Sequence, residues 1–241
     1  MSDALLTLTG VHTHIGAYHI LHGVDLVVPR AQLTMLLGRN GAGKTTTLRT
    51  IMGLWRASSG QVRFDGHDIT ALETPDIAAR EIAYVPENMG IFSDLSVKEN
   101  MLLAARSARR IEQIDEQRLT WIFSLFPAVE KFWSHPAGKL SGGQKQMLAV
   151  ARAIVEPRKL LIVDEPSKGL APAIINNMID AFAQLKQTGT TILLVEQNLN
   201  FAKRLGDHVA VMDNGRVVHA GAMQELADSP EMQHALLGLA L

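Results

Sequence analysis

Cysteine is absent from the 241 residues, which rules out disulfide staples, thiolate metal sites and cysteine nucleophiles. An excess of charge is also missing: 23 Lys and Arg stand against 24 Asp and Glu. A dedicated nucleic-acid binder needs a basic face, and this balance argues against one. Long apolar runs are lacking too. The longest aliphatic stretches, Leu160 to Val163 and Ile192 to Val195, are strand-sized, far short of the roughly 20 residues of a membrane-spanning helix. The opening MSDALLTLTG has no basic stretch followed by an apolar one, so no secretory signal is read there. With 47% apolar and 20% charged residues, the chain has enough apolar surface for one large core and is not disordered.

The hydrophobic pattern predicts strands at Leu6–Val11, Val24–Val28, Leu33–Leu37, Ile82–Val85, Leu160–Val163, Thr191–Val195 and Val209–Met212. Leu48, Ile51, Met52 and Trp55 fall on one helical face, and Ile174, Ile175, Met178, Ile179, Phe182 and Leu185 form a second stripe. Apolar strands alternating with helices argue for an α/β fold with a parallel sheet covered on both faces. From about 88 to 140 the rhythm breaks, and helices are expected around Val97–Ala108 and Glu116–Phe126, as an insertion. Arg106, Arg109 and Arg110 read as a solvated helix face, and His12 with His14 as a strand surface.

Three segments carry chemistry. Gly38, Arg39, Asn40, Gly41, Ala42, Gly43, Lys44 and Thr45 match G-x-x-x-x-G-K-[ST] between a predicted strand and a predicted helix. In that context the loop's N–H groups cradle phosphates, Lys44 reaches the terminal phosphates, and the Thr45 hydroxyl can ligate Mg²⁺. Asp164 and Glu165 end a buried-type strand, at the edge where parallel sheets bind ligands. Alone, such a pair reads as a solvated strand end. Beside a phosphate loop it reads as a Mg²⁺ carboxylate, Asp164, and a group that orients or deprotonates water, Glu165. Ser141, Gly142, Gly143 and Gln144 open a further helix, with Ser141 as N-cap. Two helix termini suited to phosphate can share one nucleotide in cis or meet across a dimer, and spacing alone leaves both open.

Together, GRNGAGKT at 38–45, LSGGQ at 140–144 and LLIVDEP at 160–166 resemble the ATP-binding subunit of an ATP-binding-cassette (ABC) transporter, over essentially the whole chain. The resemblance implies a single cassette over 1–241: a phosphate-loop NTPase with a parallel core sheet, an N-terminal antiparallel β subdomain and the helical insertion. It implies ATP and Mg²⁺ as ligands, Gly38 to Thr46 (Thr46 included) around the phosphates, and Thr45, Asp164 and Glu87 around the metal. Glu165 and Gln197 take the catalytic positions. The LSGGQ of one cassette closes over ATP held by another.

Departures narrow the resemblance. Glu87 stands where most cassettes have glutamine, Gln197 where most have the switch histidine, and Ala171 where most have an aspartate facing the partner cassette. YVPE, SxGLAP and LLVEQN are similar to the ATPases of branched-chain amino acid importers and their amide- and urea-importing relatives. Implied partners are a second cassette, identical or different, two membrane-spanning permease subunits and, indirectly, a periplasmic solute-binding protein, with no nucleic acid. The implied place is the cytoplasmic face of the inner membrane, as a peripheral subunit. A soluble or regulatory cassette using ATP-gated dimerisation without transport is the alternative. For adenine, two readings stand: Tyr18 supplies a π-face, or Ile15 makes an apolar contact while Tyr18 packs on the early strands.

Overall fold

The computed structural model describes residues 3–238. Two antiparallel strands, β1 (Ala4–Ile15) and β2 (Tyr18–Pro29), lead into β3 (Leu33–Gly38) and helix α1 (Lys44–Ile51). Strands β4 (Ala57–Phe64) and β5 (His67–Asp68), helix α2 (Thr74–Ala79) and strand β6 (Ile82–Val85) follow. No strand lies between β6 and β7 (Leu160–Asp164); that stretch holds α3 (Val97–Ala104), α4 (Glu116–Leu125), α5 (Pro127–Lys131) and α6 (Gly142–Ala153). The chain continues through α7 (Pro172–Gln187), β8 (Thr191–Val195), α8 (Leu199–Leu205), β9 (His208–Asp213), β10 (Arg216–Ala222), α9 (Met223–Asp228) and α10 (Pro230–Leu237).

Two sheets result. One is antiparallel, in the order β2-β1-β4-β5, and the other runs β10-β9-β3-β8-β7-β6. In the second, β9, β3, β8, β7 and β6 are parallel and β10 joins antiparallel at the edge. Its strands are apolar on both faces because both are covered. Leu161, Val163, Ile192 and Leu194 face a core shared with α6, α7 and α8. Leu160, Ile162, Leu193 and Val195 face a second core built with α1 and with Leu6, Leu8, Val24 and Phe64 of the antiparallel sheet.

The sequence pattern misses at three places. Trp55 is not on α1, which ends at Ile51. Gly53 adopts φ 69°, and Leu54 N–H donates back to the Arg49 carbonyl at 2.9 Å, closing the helix as glycine C-caps do. The helix expected over Val97–Ala108 stops at Ala104, since Ala105 turns extended (φ −83°, ψ 99°). Beyond it, Arg106 donates to the Ala78 carbonyl at 2.8 Å and the Ser107 N–H to Glu156 at 2.8 Å. These tertiary hydrogen bonds replace helical ones. Arg106, Arg109 and Arg110 are therefore exposed on a loop, not on a helix face. Strands β4, β5 and β10 have weak apolar patterns, and sequence periodicity did not reveal them.

Candidate active site

The phosphate-type loop spans β3 and α1, as its motif requires. Gly38 adopts φ 146°, and a Cβ there would lie 2.3 Å from the Met212 carbonyl oxygen; only glycine fits. Lys44 is buried, and its Nζ donates to the Gly38 carbonyl at 2.8 Å and the Arg39 carbonyl at 3.1 Å. The ammonium thus lies inside the loop. Burial lowers its pKa, opposed by the charges of Glu165 and Asp164.

Strand order gathers the rest. Because β8 lies between β3 and β7, the residues after β8 meet both the loop and the acids. Gln197 Nε2 donates to Glu165 Oε1 at 2.6 Å, and Lys44 Nζ lies 3.8 Å from the same oxygen. Glu165 holds φ 49°, a left-handed conformation that costs a non-glycine residue free energy and clusters at functional sites. Its N–H donates to the Val195 carbonyl at 3.0 Å. A cavity of 330 Å³ is lined by Asn40, Gly41, Gly43, Lys44, Thr45, Thr46, Glu87, Glu165 and Lys168. Asn40, Gly41, Gly43, Lys44, Thr45, Thr46 and Glu165, proposed from sequence for the phosphates and the water, therefore share one space, while Gly38, Arg39 and Gln197 line a second cavity that shares Asn40 with it.

Asp164 is fully buried. Burial pushes its carboxyl up to about 6, with the neighbouring Glu165 and Glu87 charges adding and the Thr45 hydroxyl and Arg49 opposing. Among the described residues, neither carboxylate oxygen has a partner in hydrogen-bonding geometry, the Thr45 hydroxyl being near but not bonded. Such an orphaned buried acid beside the Thr45 hydroxyl fits a hard divalent cation that keeps waters and substrate phosphates as its other ligands. Among the described residues no three His, Cys, Asp or Glu side chains form a metal cage, and a Mg²⁺–phosphate site does not use one.

Two expected groups lie elsewhere. Ser141 and Gln144 form a capping box on α6: Ser141 N–H donates to Gln144 Oε1 at 2.9 Å and Gln144 N–H to Ser141 Oγ at 3.4 Å. Gly142 is open to space, whereas Gly143 packs against Ile174. None of these four lines the 330 Å³ cavity. Tyr18 stands at the β1–β2 hairpin with 76% of its surface exposed, so it does not pack on the early strands. Neither Tyr18 nor Ile15 lines the cavity; Ile20 does.

Sequence reasoning passed over two residues. Glu196 is buried, and it accepts from Ser167 N–H (2.8 Å) and Ser167 Oγ (2.9 Å). Its carboxyl is raised by burial, opposed by those hydrogen bonds. Lys168 sits against Glu87 and Glu165. For Glu196 a signal is present, namely a carboxylate directly after the four apolar residues Ile192 to Val195, at the same sheet edge as Asp164 and Glu165.

A glycine-rich loop between a parallel strand and a helix, faced by a buried aspartate and a held glutamate, defines a phosphate-loop nucleotide-binding protein. The family described as "ABC transporter" matches residues 21–168, and the chain belongs to that family. It is 37% identical over 234 residues to the high-affinity branched-chain amino acid transport ATP-binding protein BraG of Pseudomonas aeruginosa, covering 97% of this chain and 100% of that one. It is 36% identical over 222 residues to the probable branched-chain amino acid transport ATP-binding protein LivF of Archaeoglobus fulgidus, covering 92% and 93%. The solved ADP conformation of an ABC transporter's ATP-binding cassette superposes with a TM-score of 0.81 at 25% identity, covering 98% of this chain and 99% of that one. The fold is the ABC cassette, and the chain is an ABC-type ATPase that hydrolyses ATP to energise transport.

Proposed function

We propose that this chain is one cassette, over its whole length, of an importer for branched-chain amino acids or related polar solutes. The residues at 84–87, 167–172 and 193–198, together with the names of BraG and LivF, support that substrate class. The observation that carries the catalytic part is Glu165 held by Gln197 at 2.6 Å on the rim of the phosphate loop.

Backbone N–H groups from Gly38 to Thr46 and the Lys44 ammonium hold the β- and γ-phosphates. Thr45 and Asp164, with Glu87 nearby, would hold Mg²⁺, which would supply neutralisation of the charge on the phosphate oxygens. Glu165 orients the attacking water and takes its proton. Gln197, bonded to Glu165 and lining a second cavity with Gly38, Arg39 and Asn40, positions that carboxylate against the γ-phosphate. Ser141 to Gln144 act on the ATP of a second cassette, since they stand apart from this chain's own cavity. Tyr18 offers its exposed ring to adenine.

A groove of 710 Å³ is lined by Arg49, Trp55, Tyr84, Pro86, Asn88 and Arg106, among others. It lies between the end of α1, the residues on either side of Glu87 and the helical insertion, so an occupant touches the segment after β6 and the insertion at once. We assign it to the permease subunits. Among the described residues no helix is long and apolar enough to cross a membrane, and the proposed place is the cytoplasmic face, held through that groove.

The test is Mg²⁺-dependent ATP hydrolysis by wild type and Glu165→Gln, with and without copurified permease subunits. The expected result is turnover stimulated by the permeases and slowed by about 10²–10⁴-fold in the variant, with nucleotide still bound. Binding without turnover in either setting overturns the motor reading and leaves an ATP-gated dimerisation module.

A further inference from the structure

Lys168 lines the phosphate cavity without contacting the loop carbonyls that hold Lys44. Lys168 lies three residues beyond Glu165 on the turn after β7, where its N–H donates to the Glu165 carbonyl at 3.2 Å. Its Nζ lies 2.5 Å from Glu87 Oε1 and 3.5 Å from Glu165 Oε2. Glu87 is 81 positions away in sequence, on the segment after β6. One ammonium thus bridges carboxylates from two separate strand ends, and all three side chains line the 330 Å³ cavity.

Charge makes the bridge consequential. Glu87, Asp164 and Glu165 bring three carboxyl groups to a site that must accept a polyphosphate anion, and like charges at this range oppose binding. Lys44 donates to the loop carbonyls, lies 3.8 Å from Glu165 Oε1 and is the group assigned to the phosphates. Among the described residues, Lys168 is the cation placed on Glu87. We propose that Lys168 is a positioning residue for ATP binding and turnover: its ammonium neutralises Glu87 within the phosphate cavity and ties the segment after β6 to the turn carrying Glu165. The inference rests on the assignment of this cavity to the β- and γ-phosphates. Lys168 is 58% exposed, so water screens the bridge and the effect is modest.

The test is a charge-rescue cycle on the full chain, read by titration with Mg²⁺ and a non-hydrolysable ATP analogue and, separately, by kcat and KM. Lys168→Met keeps the unbranched stem as far as Cε and removes the ammonium; it is expected to weaken analogue binding by about fivefold and to raise KM. Lys168→Arg is expected to stay within about twofold of wild type. Adding Glu87→Gln to Lys168→Met removes the uncompensated charge while keeping a side-chain oxygen near the metal, and is expected to recover most of the loss. A merely structural lysine would show no such recovery, because the two substitutions would then add. Unchanged affinity in Lys168→Met, or additive losses in the double variant, overturns the inference. Lys44→Ala is the control for the cavity itself. If it binds the analogue as wild type does, the phosphate assignment fails; if it weakens binding and Lys168→Met does not, only the role of Lys168 fails.

Discussion

Ser167 occupies both oxygens of the Glu196 carboxylate, its N–H on Oε1 at 2.8 Å and its hydroxyl on Oε2 at 2.9 Å. The same Oε2 accepts the N–H groups of Gln197 at 3.2 Å and Asn198 at 3.4 Å. One buried side chain therefore fastens the turn after β7 to the turn after β8. These are the two turns that carry Glu165 and its partner Gln197.

Glu196→Ala leaves the buried Ser167 N–H without its acceptor. An unsatisfied buried donor costs about 1–3 kcal/mol, and the urea midpoint is expected to fall accordingly. A midpoint equal to wild type would show that the turns hold themselves.

Gln197→Ala frees the Glu165 carboxylate from its 2.6 Å donor. A hydrogen bond to a charged group contributes about 1.5–3 kcal/mol, so kcat is expected to fall by about tenfold or more, less than in Glu165→Gln. Steady-state phosphate release measures this, and equal kcat in the two variants would contradict the ranking.

Asp164 is destabilising when ionised. Its folded pKa, pushed up to about 6 by burial, exceeds the ordinary carboxylate value, so the folded state resists losing that proton. The stability is fully present below pH 4 and is lost as pH rises through about 6, by about 3 kcal/mol. Without Mg²⁺ at pH 7.5, Asp164→Asn is therefore expected to melt higher than wild type while losing Mg²⁺-dependent hydrolysis. A lower melting temperature for Asp164→Asn would refute this.

Four histidines meet on the β1–β2 hairpin: His14 stacks on His19 with ring centroids 4.1 Å apart, and His19 lies 4.0 Å from His22. Burial lowers the pKa of His22, aided by His19, Arg216, His12 and His14. A histidine held below its usual 6.5 prefers its neutral form in the fold. Its contribution persists above pH 6.5 and is lost as pH falls through the depressed value. Because Asp164 acts in the opposite direction over the same range, the effect is read against a variant: His22→Gln is expected to lose less stability than wild type between pH 7.5 and 5.5. Parallel losses in thermal melts would exclude it.

Local chemistry explains what was legible. The loop at 38–45 and the capped start of α6 are encoded within a few residues of themselves, as backbone requirements of glycine and as a serine–glutamine box. The buried strands Leu160–Asp164 and Thr191–Val195 stand out because both their faces are apolar. Trp55 misled because its spacing is helical while Gly53, two positions earlier, ends the helix. Strand β4, ASSGQVRF, is silent in the sequence since a strand of weak apolar character forms only against the β1 register. In the sequence His12 and His14 read as a strand surface; cross-strand pairing with His22 and His19 makes them a cluster.

By itself the sequence determined which residue types were on hand for phosphate and water, because those motifs are short and their geometry is local. Tertiary structure alone decided their arrangement. The chain runs β3, β7, β8, but space orders them β3-β8-β7, which sets Gln197 between the loop and Glu165. Lys168 reaches Glu87 across 81 positions because β6 and β7 are parallel neighbours. Register between parallel strands comes from burying both faces of a sheet at once, a collective packing condition that no single segment of the chain contains.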